Sequence, residues 1–289
     1  MAQPQSRWVR FKRFLKRNMT PTWAKHFSYQ VFSFLVSVAM VIGVANYAIT
    51  RSYDERKLTF VDGFTITAHT GAFHTNQNSL EAVQAAIDNQ VEAMEIDVRQ
   101  RPNGILVMAH DLVVKNSDGV PLADAFALLE PADVAKFLEP TAIRLNLDIK
   151  ETKVLGALHD LLVEYNLYDR VFLTGLEVWN MNAVKASTCR DLPYYLNYIP
   201  SRFQIFSADY QQRLLKILEE SGAIGLNCNY KHVGGRLSNF LHKNGYKLSV
   251  WTVDRRDTMK RILVAKPDNI TTKQYDKLQD VIARWGKNK

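Results

Sequence analysis

The stretch of sequence that decides the fold is residues 64–111, FTITAHTGAFHTNQNSLEAVQAAIDNQVEAMEIDVRQRPNGILVMAHD. It holds two short apolar runs that end in ionisable residues, and a third run that returns through a turn. The first run ends at His69, the second carries Glu95 and Asp97, and the third reaches His110. Imidazoles and carboxylates at strand ends are the groups that metal-assisted acid–base chemistry uses.

Short β-rich runs alternate with longer helical segments from residue 64 to the end of the chain. This alternation predicts βαβ units and a parallel sheet. Eight units in about 225 residues predict an α/β fold of the (β/α)8 TIM-barrel type, and a doubly wound open sheet is the alternative. The predicted strands are 64–69, 93–99, 143–150, 170–175, 193–198, 223–229, 247–253 and 268–272. The predicted helices are 79–89, 122–129, 132–137, 153–165, 178–187, 208–220, 234–244, 256–265 and 274–285.

A hairpin turn is predicted at residues 101–104, Arg-Pro-Asn-Gly, after the second strand. A turn centred between Pro102 and Asn103 would pair the returning run so that His110 lies beside Glu95. His69 would then join them from the neighbouring first strand.

Polar and apolar side chains alternate along the first strands, which separates two faces. Glu95 and Asp97 share the polar face of one strand, and Asp148 lies on the polar face of the next. The active site of such a barrel lies at the C-terminal ends of its strands, and carboxylates there are costly to bury without a partner. We therefore predict a divalent metal ion held by Glu95, Asp97 and Asp148. Oxygen ligands alone favour Ca²⁺ or Mg²⁺ over zinc.

The net charge of +8 is concentrated in the first 25 residues. These hold seven basic residues and no acidic one, namely Arg7, Arg10, Lys12, Arg13, Lys16, Arg17 and Lys25. The rest of the chain has 37 − 7 = 30 basic residues against 29 acidic ones, and is close to neutral. No basic face for a nucleic acid is predicted there.

An uncharged hydrophobic segment, residues 26–50, follows the basic residues and is long enough to cross a hydrocarbon core of about 30 Å. We interpret it as an uncleaved membrane anchor. A signal peptide cleaved near residues 43–45 and a buried amphipathic helix are the alternatives. The positive-inside rule places the N-terminus in the cytoplasm and the barrel outside the cell membrane. The predicted organisation is a basic cytoplasmic tail at 1–25, a transmembrane helix at 26–50, a linker at 51–63 and the barrel at 64–289.

Two cysteines, Cys189 and Cys228, fall at opposite ends of the predicted layout, the first after a helix and the second late in a strand. We expect them to be buried and not to pair.

Several short motifs occur in a fixed order along the barrel segment. They are His69 with Gly71, 78–82 (NSLEA), Glu95-x-Asp97-Val98, 103–104 (NG), 110–111 (HD), 145–150 (LNLDIK), 250–254 (VWTVD) and 268–272 (DNITT). Each motif alone is a weak signal, but the ordered set resembles the glycerophosphodiester phosphodiesterases over residues 64 to about 273.

That resemblance implies a TIM barrel that hydrolyses a phosphodiester at one glycerol oxygen. It implies that His69 and His110 are the general acid–base pair and that Lys150 lies near the phosphate, with the metal on the three acids named above. Trp251 shares the inward face of its strand, and we predict that it forms an apolar wall for the substrate. Candidate substrates are glycerophosphodiesters, lysophospholipids and glycerophosphate polymers of a cell envelope.

The chain departs from the family pattern at three places. Thr70 stands where the family usually has Arg, Asn76-Gln77 where it has Pro-Glu, and Asp148 where it commonly has Glu. The first two changes remove a bidentate phosphate donor and a carboxylate, which predicts weakened or redirected binding. Two alternatives therefore stay open. One is a catalytically weakened barrel that acts as a binding module, and the other is a phospholipase of the phosphatidylinositol-cleaving or sphingomyelinase D type.

Overall fold

The computed structural model describes residues 7–18, 20–55, 58–129 and 143–287. The chain divides into two compact units, residues 1–55 and 56–289. The short helix predicted at 132–137 lies outside the described residues.

The first unit consists of helices α1 (Arg7–Asn18) and α2 (Pro21–Glu55). Helix α2 begins at Thr20-Pro21, where the Thr20 hydroxyl accepts a hydrogen bond from the Trp23 backbone N–H at 3.2 Å. Its segment Pro21–Tyr47 is 27 residues long, and its most apolar window is exposed. Length and composition suit a membrane span, and a signal sequence near the N-terminus would fit equally.

The described residues of the second unit form ten strands, and eight of these build a closed barrel. The strands are β1 (Thr65–Ala68), β2 (Ala93–Gln100), β3 (Leu106–Met108), β4 (Val120–Pro121), β5 (Arg144–Ile149), β6 (Val171–Leu176), β7 (Tyr194–Asn197), β8 (Gly225–Asn229), β9 (Lys247–Trp251) and β10 (Asn269–Thr272). Eight of them pair in parallel around the ring in the order β1-β2-β5-β6-β7-β8-β9-β10, and β10 pairs again with β1. The predicted TIM barrel is confirmed, because this closure excludes an open sheet.

Helices cover the outside of the barrel. They are α3 (Leu80–Asp88), α4 (Leu122–Leu129), α5 (Leu155–Glu164), α6 (Met181–Ala186), α7 (Ala208–Ser221), α8 (Gly235–Lys243), α9 (Arg256–Ala265) and α10 (Tyr275–Ala283). The outward faces of the strands are apolar, and Leu145 and Leu147 of β5 are fully buried in the core. Both cysteines are buried and unpaired, as expected. Because every strand points the same way around the ring, the residues that end the eight strands meet at one mouth.

The register of the β2–β3 hairpin differs from the prediction by one residue. Val98 lies opposite Met108, and the Ala109 backbone N–H still donates to the Asp97 carbonyl at 3.1 Å. The Arg101 N–H donates to the Ile105 carbonyl at 2.8 Å, which encloses a three-residue loop that contains Gly104 at a φ of +90°. The predicted turn centre was therefore wrong, and His110 is not paired with Glu95.

Candidate active site

A cavity of about 190 Å³ lies at the mouth of the barrel. All seven residues that the sequence nominated line it, namely His69, Glu95, Asp97, His110, Asp148, Lys150 and Trp251. Six further residues line it that the sequence analysis did not nominate, namely Asn146, Thr174, Asn197, Asn227, Thr252 and Thr271. Strand alternation was the signal that could have found several of these, because it places them on the inner face of the barrel.

The three carboxylates meet because β2 and β5 pair in register. Asp97 lies directly beside Asp148, and Glu95 is two residues earlier on the same face. One oxygen of each carboxylate lies within 4.8 Å of the others. Burial, followed by the charges of Asp148 and Asp97, raises the pKa of Glu95 well above its ordinary value. Such a set of oxygen donors fits a hard divalent cation, whose charge would offset their mutual repulsion.

Lys150 already supplies positive charge to two of these acids. Its ammonium lies 2.9 Å from Asp97 Oδ1 and forms a second, shorter contact with Asp148 Oδ2. Burial lowers the pKa of Lys150, but the two carboxylates outweigh it and the net shift is upward. The sequence prediction placed Lys150 near a phosphate. In the structure its contacts are with the candidate metal ligands.

Asn78 holds Asp97 from the other side. The Asn78 amide donates to Asp97 Oδ2 at 2.7 Å, and the Asp97 backbone N–H donates back to Asn78 Oδ1 at 3.1 Å. Asn78 has a φ of +53°, a left-handed conformation that asparagine tolerates. Burial raises the pKa of Asp97, but the opposite effect of Lys150 and the Asn78 hydrogen bond is larger, so the net shift is downward.

Thr70 holds Asn78 in turn. This threonine is only 4% exposed, and its hydroxyl oxygen accepts a hydrogen bond from the Asn78 backbone N–H at 2.5 Å. A line of hydrogen bonds therefore runs from Thr70 through Asn78 to Asp97. The residue that replaces the family's arginine has a clear structural role here.

His69 is arranged as a proton acceptor. Its backbone N–H donates to the Thr272 carbonyl at 2.8 Å, and its ring Nδ1 lies 2.6 Å from the Thr70 carbonyl oxygen. A carbonyl oxygen can only accept, so Nδ1 carries the hydrogen and Nε2 keeps a free lone pair. Nε2 lies 4.0 Å from Glu95 Oε1. Burial lowers the pKa of His69, so the ring is neutral at pH 7.

His110 reaches the same cavity from the loop after β3. Its side chain is 64% exposed, and Nδ1 lies 2.9 Å from Asp111 Oδ1. The carboxylate accepts the Nδ1 hydrogen and leaves Nε2 available to a bound molecule. Arg99 Nε donates a hydrogen bond to the His110 backbone carbonyl at 2.9 Å, which also anchors the His110 backbone to β2.

Large apolar side chains are exposed in the loops that follow β6 and β7. This apolar rim consists of Val178, Trp179, Ile199, Phe203 and Phe206. Trp179 is 78% exposed and Phe203 87% exposed, values unusual for such large side chains. The guanidinium carbon of Arg236 lies 4.2 Å from the centre of the Phe206 ring. Trp251, 37% exposed at the end of β9, lines the cavity.

Replacing Thr70 with valine tests the line of hydrogen bonds. Thr70→Val leaves the Asn78 N–H without its acceptor, which is expected to cost about 1–3 kcal/mol in the free energy of unfolding. Asp97 would be held less firmly, and Ca²⁺ or Mg²⁺ affinity is expected to fall by about 10- to 100-fold. Urea denaturation and titration calorimetry on the detergent-purified chain measure the two effects.

Thr70→Ser is the matched control, because it keeps the accepting oxygen and should retain most of the metal affinity. Equal metal affinities for the valine and serine variants would contradict this role of Thr70.

Comparison with known proteins gives consistent relatives. No protein-family model matches the chain. A glycerophosphodiester phosphodiesterase of Caldanaerobacter subterraneus is 24% identical over 249 residues, which cover 76% of this chain and 98% of the relative. A Mycobacterium tuberculosis protein named for the same activity is 27% identical over 246 residues, which cover 76% of this chain and 90% of the relative.

Solved structures show the same fold. A glycerophosphodiester phosphodiesterase of Parabacteroides distasonis superposes with a TM-score of 0.59 at 20% identity, over 77% of this chain and 98% of that one. A phosphodiesterase of Oleispira antarctica, in complex with its product sn-glycerol-3-phosphate, gives 0.55 at 19% identity, over 76% and 96%. The sequence relatives consistently carry the name glycerophosphodiester phosphodiesterase, and the solved structures share the fold, so the chain is similar to that family in sequence, ordered motifs and fold.

Proposed function

We propose that this protein is a metal-dependent phosphoric diester hydrolase that cleaves glycerophosphodiesters to an alcohol and a glycerol phosphate. The observation that carries the proposal is the single cavity in which two imidazoles face three carboxylates and an ammonium group. The names of the two sequence relatives and the product in the Oleispira antarctica structure support the substrate class.

Glu95, Asp97 and Asp148 would hold the divalent ion, which supplies positive charge at the non-bridging phosphate oxygens. Lys150 lies against the same acids and adds a second cation beside the anionic diester. A phosphodiester carries a formal negative charge, so these two cations together would favour its binding. They would also stabilise the additional negative charge that develops in the transition state.

His69 would act as the general base. Its neutral ring presents Nε2 to the cavity, and that atom would take a proton from the nucleophile, either water or a neighbouring glycerol hydroxyl. Attack by water gives the glycerol phosphate directly, whereas attack by the hydroxyl gives a cyclic phosphate that a water molecule would then open. His110 would then act as the general acid that protonates the leaving alkoxide. The geometry suits this division of roles, because His69 is buried beside the carboxylates whereas His110 stands in the open mouth.

Replacing either histidine tests the mechanism. His69→Ala and His110→Ala are each expected to lower kcat for glycerophosphocholine by about 10²- to 10⁴-fold, because each removes a proton-transfer group. Hydrolysis should also require Ca²⁺ or Mg²⁺ and stop on addition of chelator. Release of choline by the detergent-purified chain measures the rate.

His159→Ala is the matched control, because His159 lies on α5 outside the residues that line the cavity. Activity that survives both active-site substitutions would overturn the mechanism. Turnover of no glycerophosphodiester by the wild-type protein would favour a binding module, and turnover of phosphatidylinositol or sphingomyelin instead would favour the phospholipase alternatives.

The apolar rim favours a substrate that carries a hydrocarbon chain. Trp179 and Phe203 are exposed on loops at the mouth, and the same chain holds a helix that could span a membrane. Exposed aromatic side chains of this size commonly mark a ligand or partner surface. Within the glycerophosphodiesters we therefore favour lysophospholipids over water-soluble diesters.

Truncating the rim is expected to separate the two substrate types. Trp179→Ala and Phe203→Ala should each lower kcat/KM for lysophosphatidylcholine by roughly tenfold, the effect of losing about 1.5 kcal/mol of apolar burial. The kcat/KM for glycerophosphocholine should change less than about twofold. Val163→Ala, an exposed change on α5, is the control, and equal losses on both substrates would contradict an acyl-chain role.

We also propose that Pro21–Tyr47 anchors the protein in the cell membrane, with the basic N-terminus in the cytoplasm and the barrel outside. The support is the seven basic residues and the absence of acids in residues 1–25, which the positive-inside rule retains on the cytoplasmic side.

The mass of the mature protein tests the anchor. An uncleaved anchor predicts that residues 1–45 remain on the protein isolated from membranes. A mature protein that begins near residue 46 would show instead that the segment is a cleaved signal.

A further inference from the structure

The amide oxygen of Asn227 is a buried acceptor without a donor. Asn227 lies in the middle of β8, is 7% exposed and lines the active-site cavity. Among the side chains that the structure describes, its Oδ1 is the one buried polar atom with no hydrogen-bond partner. A buried acceptor without a partner is unfavourable, so a donor that enters the cavity and reaches it would gain a hydrogen bond.

The orientation of this amide is determined by its neighbours. The Gly175 backbone N–H donates to Asn197 Oδ1 at 3.2 Å, which identifies that atom of Asn197 as the oxygen. Asn227 Nδ2 donates to the same oxygen at 2.8 Å. Rotating the Asn227 amide by half a turn would bring two oxygens together, so Oδ1 is the atom left for a ligand.

Asn197 and Asn227 face the catalytic groups across the barrel. In the ring of eight parallel strands, β7 is four strands from β1 and β8 is four strands from β2. Asn227 is therefore opposite the strand of Glu95 and Asp97, and Asn197 is opposite the strand that ends at His69. A diester whose phosphate lies beside the carboxylates would have one of its substituents directed toward this pair of amides.

The ligand group must be a donor, and the surroundings favour a neutral one. The polar side-chain contact of Asn227 is with another uncharged amide, that of Asn197. A buried ammonium group there would lack an anionic partner, whereas the carboxylates on the opposite wall would attract it. A hydroxyl group donates one hydrogen bond without this penalty.

We propose that Asn227 Oδ1 accepts a hydrogen bond from a hydroxyl of the substrate's glycerol moiety, so that Asn227 selects hydroxylated diesters. This inference rests on the proposed function and adds the group that recognises the glycerol. A site that hydrogen-bonds a substrate hydroxyl discriminates against an analogue that lacks it, because the acceptor is then left buried and unpaired.

Product-like ligands test the proposal by binding alone. The detergent-purified full chain, with Ca²⁺ or Mg²⁺ present, is titrated by calorimetry with sn-glycerol 3-phosphate and with propyl phosphate, which has the same carbon chain and no hydroxyl. The wild-type protein is expected to prefer glycerol 3-phosphate. Asn227→Ala should reduce that preference by about three- to tenfold, the worth of one neutral hydrogen bond, and leave propyl phosphate affinity within about twofold.

Three further variants make the result specific. Asn227→Asp keeps an accepting oxygen and should retain the preference. Asn227→Leu fills the same space without an acceptor, and replaces the alanine variant if that protein does not fold. Asn229→Ala is the matched control on the same strand, because the Asn229 side chain accepts from the Lys231 N–H instead of lining the cavity.

Two results would overturn the subsite. One is an absence of preference in the wild-type protein, and the other is a preference that Asn227→Ala leaves unchanged. Hydrolysis of glycerophosphocholine is measured separately. If the wild-type protein hydrolyses glycerophosphocholine but binds glycerol 3-phosphate and propyl phosphate equally, the subsite alone is refuted. If the wild-type protein does not hydrolyse glycerophosphocholine, the proposed function is refuted.

Discussion

The pairing of β2 with β5 is the constraint on which the site depends. It brings Asp97 beside Asp148 and leaves Glu95 on the same face, so three like charges share a small, mostly buried volume. Such a cluster is unfavourable unless cations and hydrogen-bond donors surround it. Lys150 and Asn78 supply part of that compensation, while burial and the charges of Asp148 and Asp97 still raise the pKa of Glu95, so its charged form stays unfavourable. The same deficit is what a divalent ion would remove.

The departures from the family pattern are easier to understand once these contacts are known. Thr70 cannot bind a phosphate as arginine does, but its hydroxyl secures Asn78 and through it Asp97. The substitution therefore exchanges a substrate contact for support of a candidate metal ligand. Under the proposed function, Lys150 and a divalent ion would meet the substrate's charge, and other parts of the cavity would recognise its uncharged part.

The cavity and its surroundings offer two such regions with different chemistry. Neutral amides on β7 and β8 face the charged groups across the barrel, while the apolar rim stands above them on the loops that follow β6 and β7. A molecule with a phosphate, a hydroxylated carbon chain and a hydrocarbon tail would match the charged groups, the neutral amides and the apolar rim, respectively. Under the proposed function, these regions would together bind an amphiphilic diester.

The sequence by itself determined the eight strands and the inward side chains, because periods of two and 3.6 residues are local properties of strands and helices. It therefore nominated His69, Glu95, Asp97 and Asp148 together. The pairing of β10 with β1 decided that the sheet closes into a barrel and is not open. Only the tertiary structure decided the hairpin register, because the three-residue loop at 102–104 shifts the pairing by one residue. Likewise, the salt bridges of Lys150, the support from Thr70 and the unpaired oxygen of Asn227 join residues far apart in the chain. Such contacts depend on distances between strands, which no local pattern encodes.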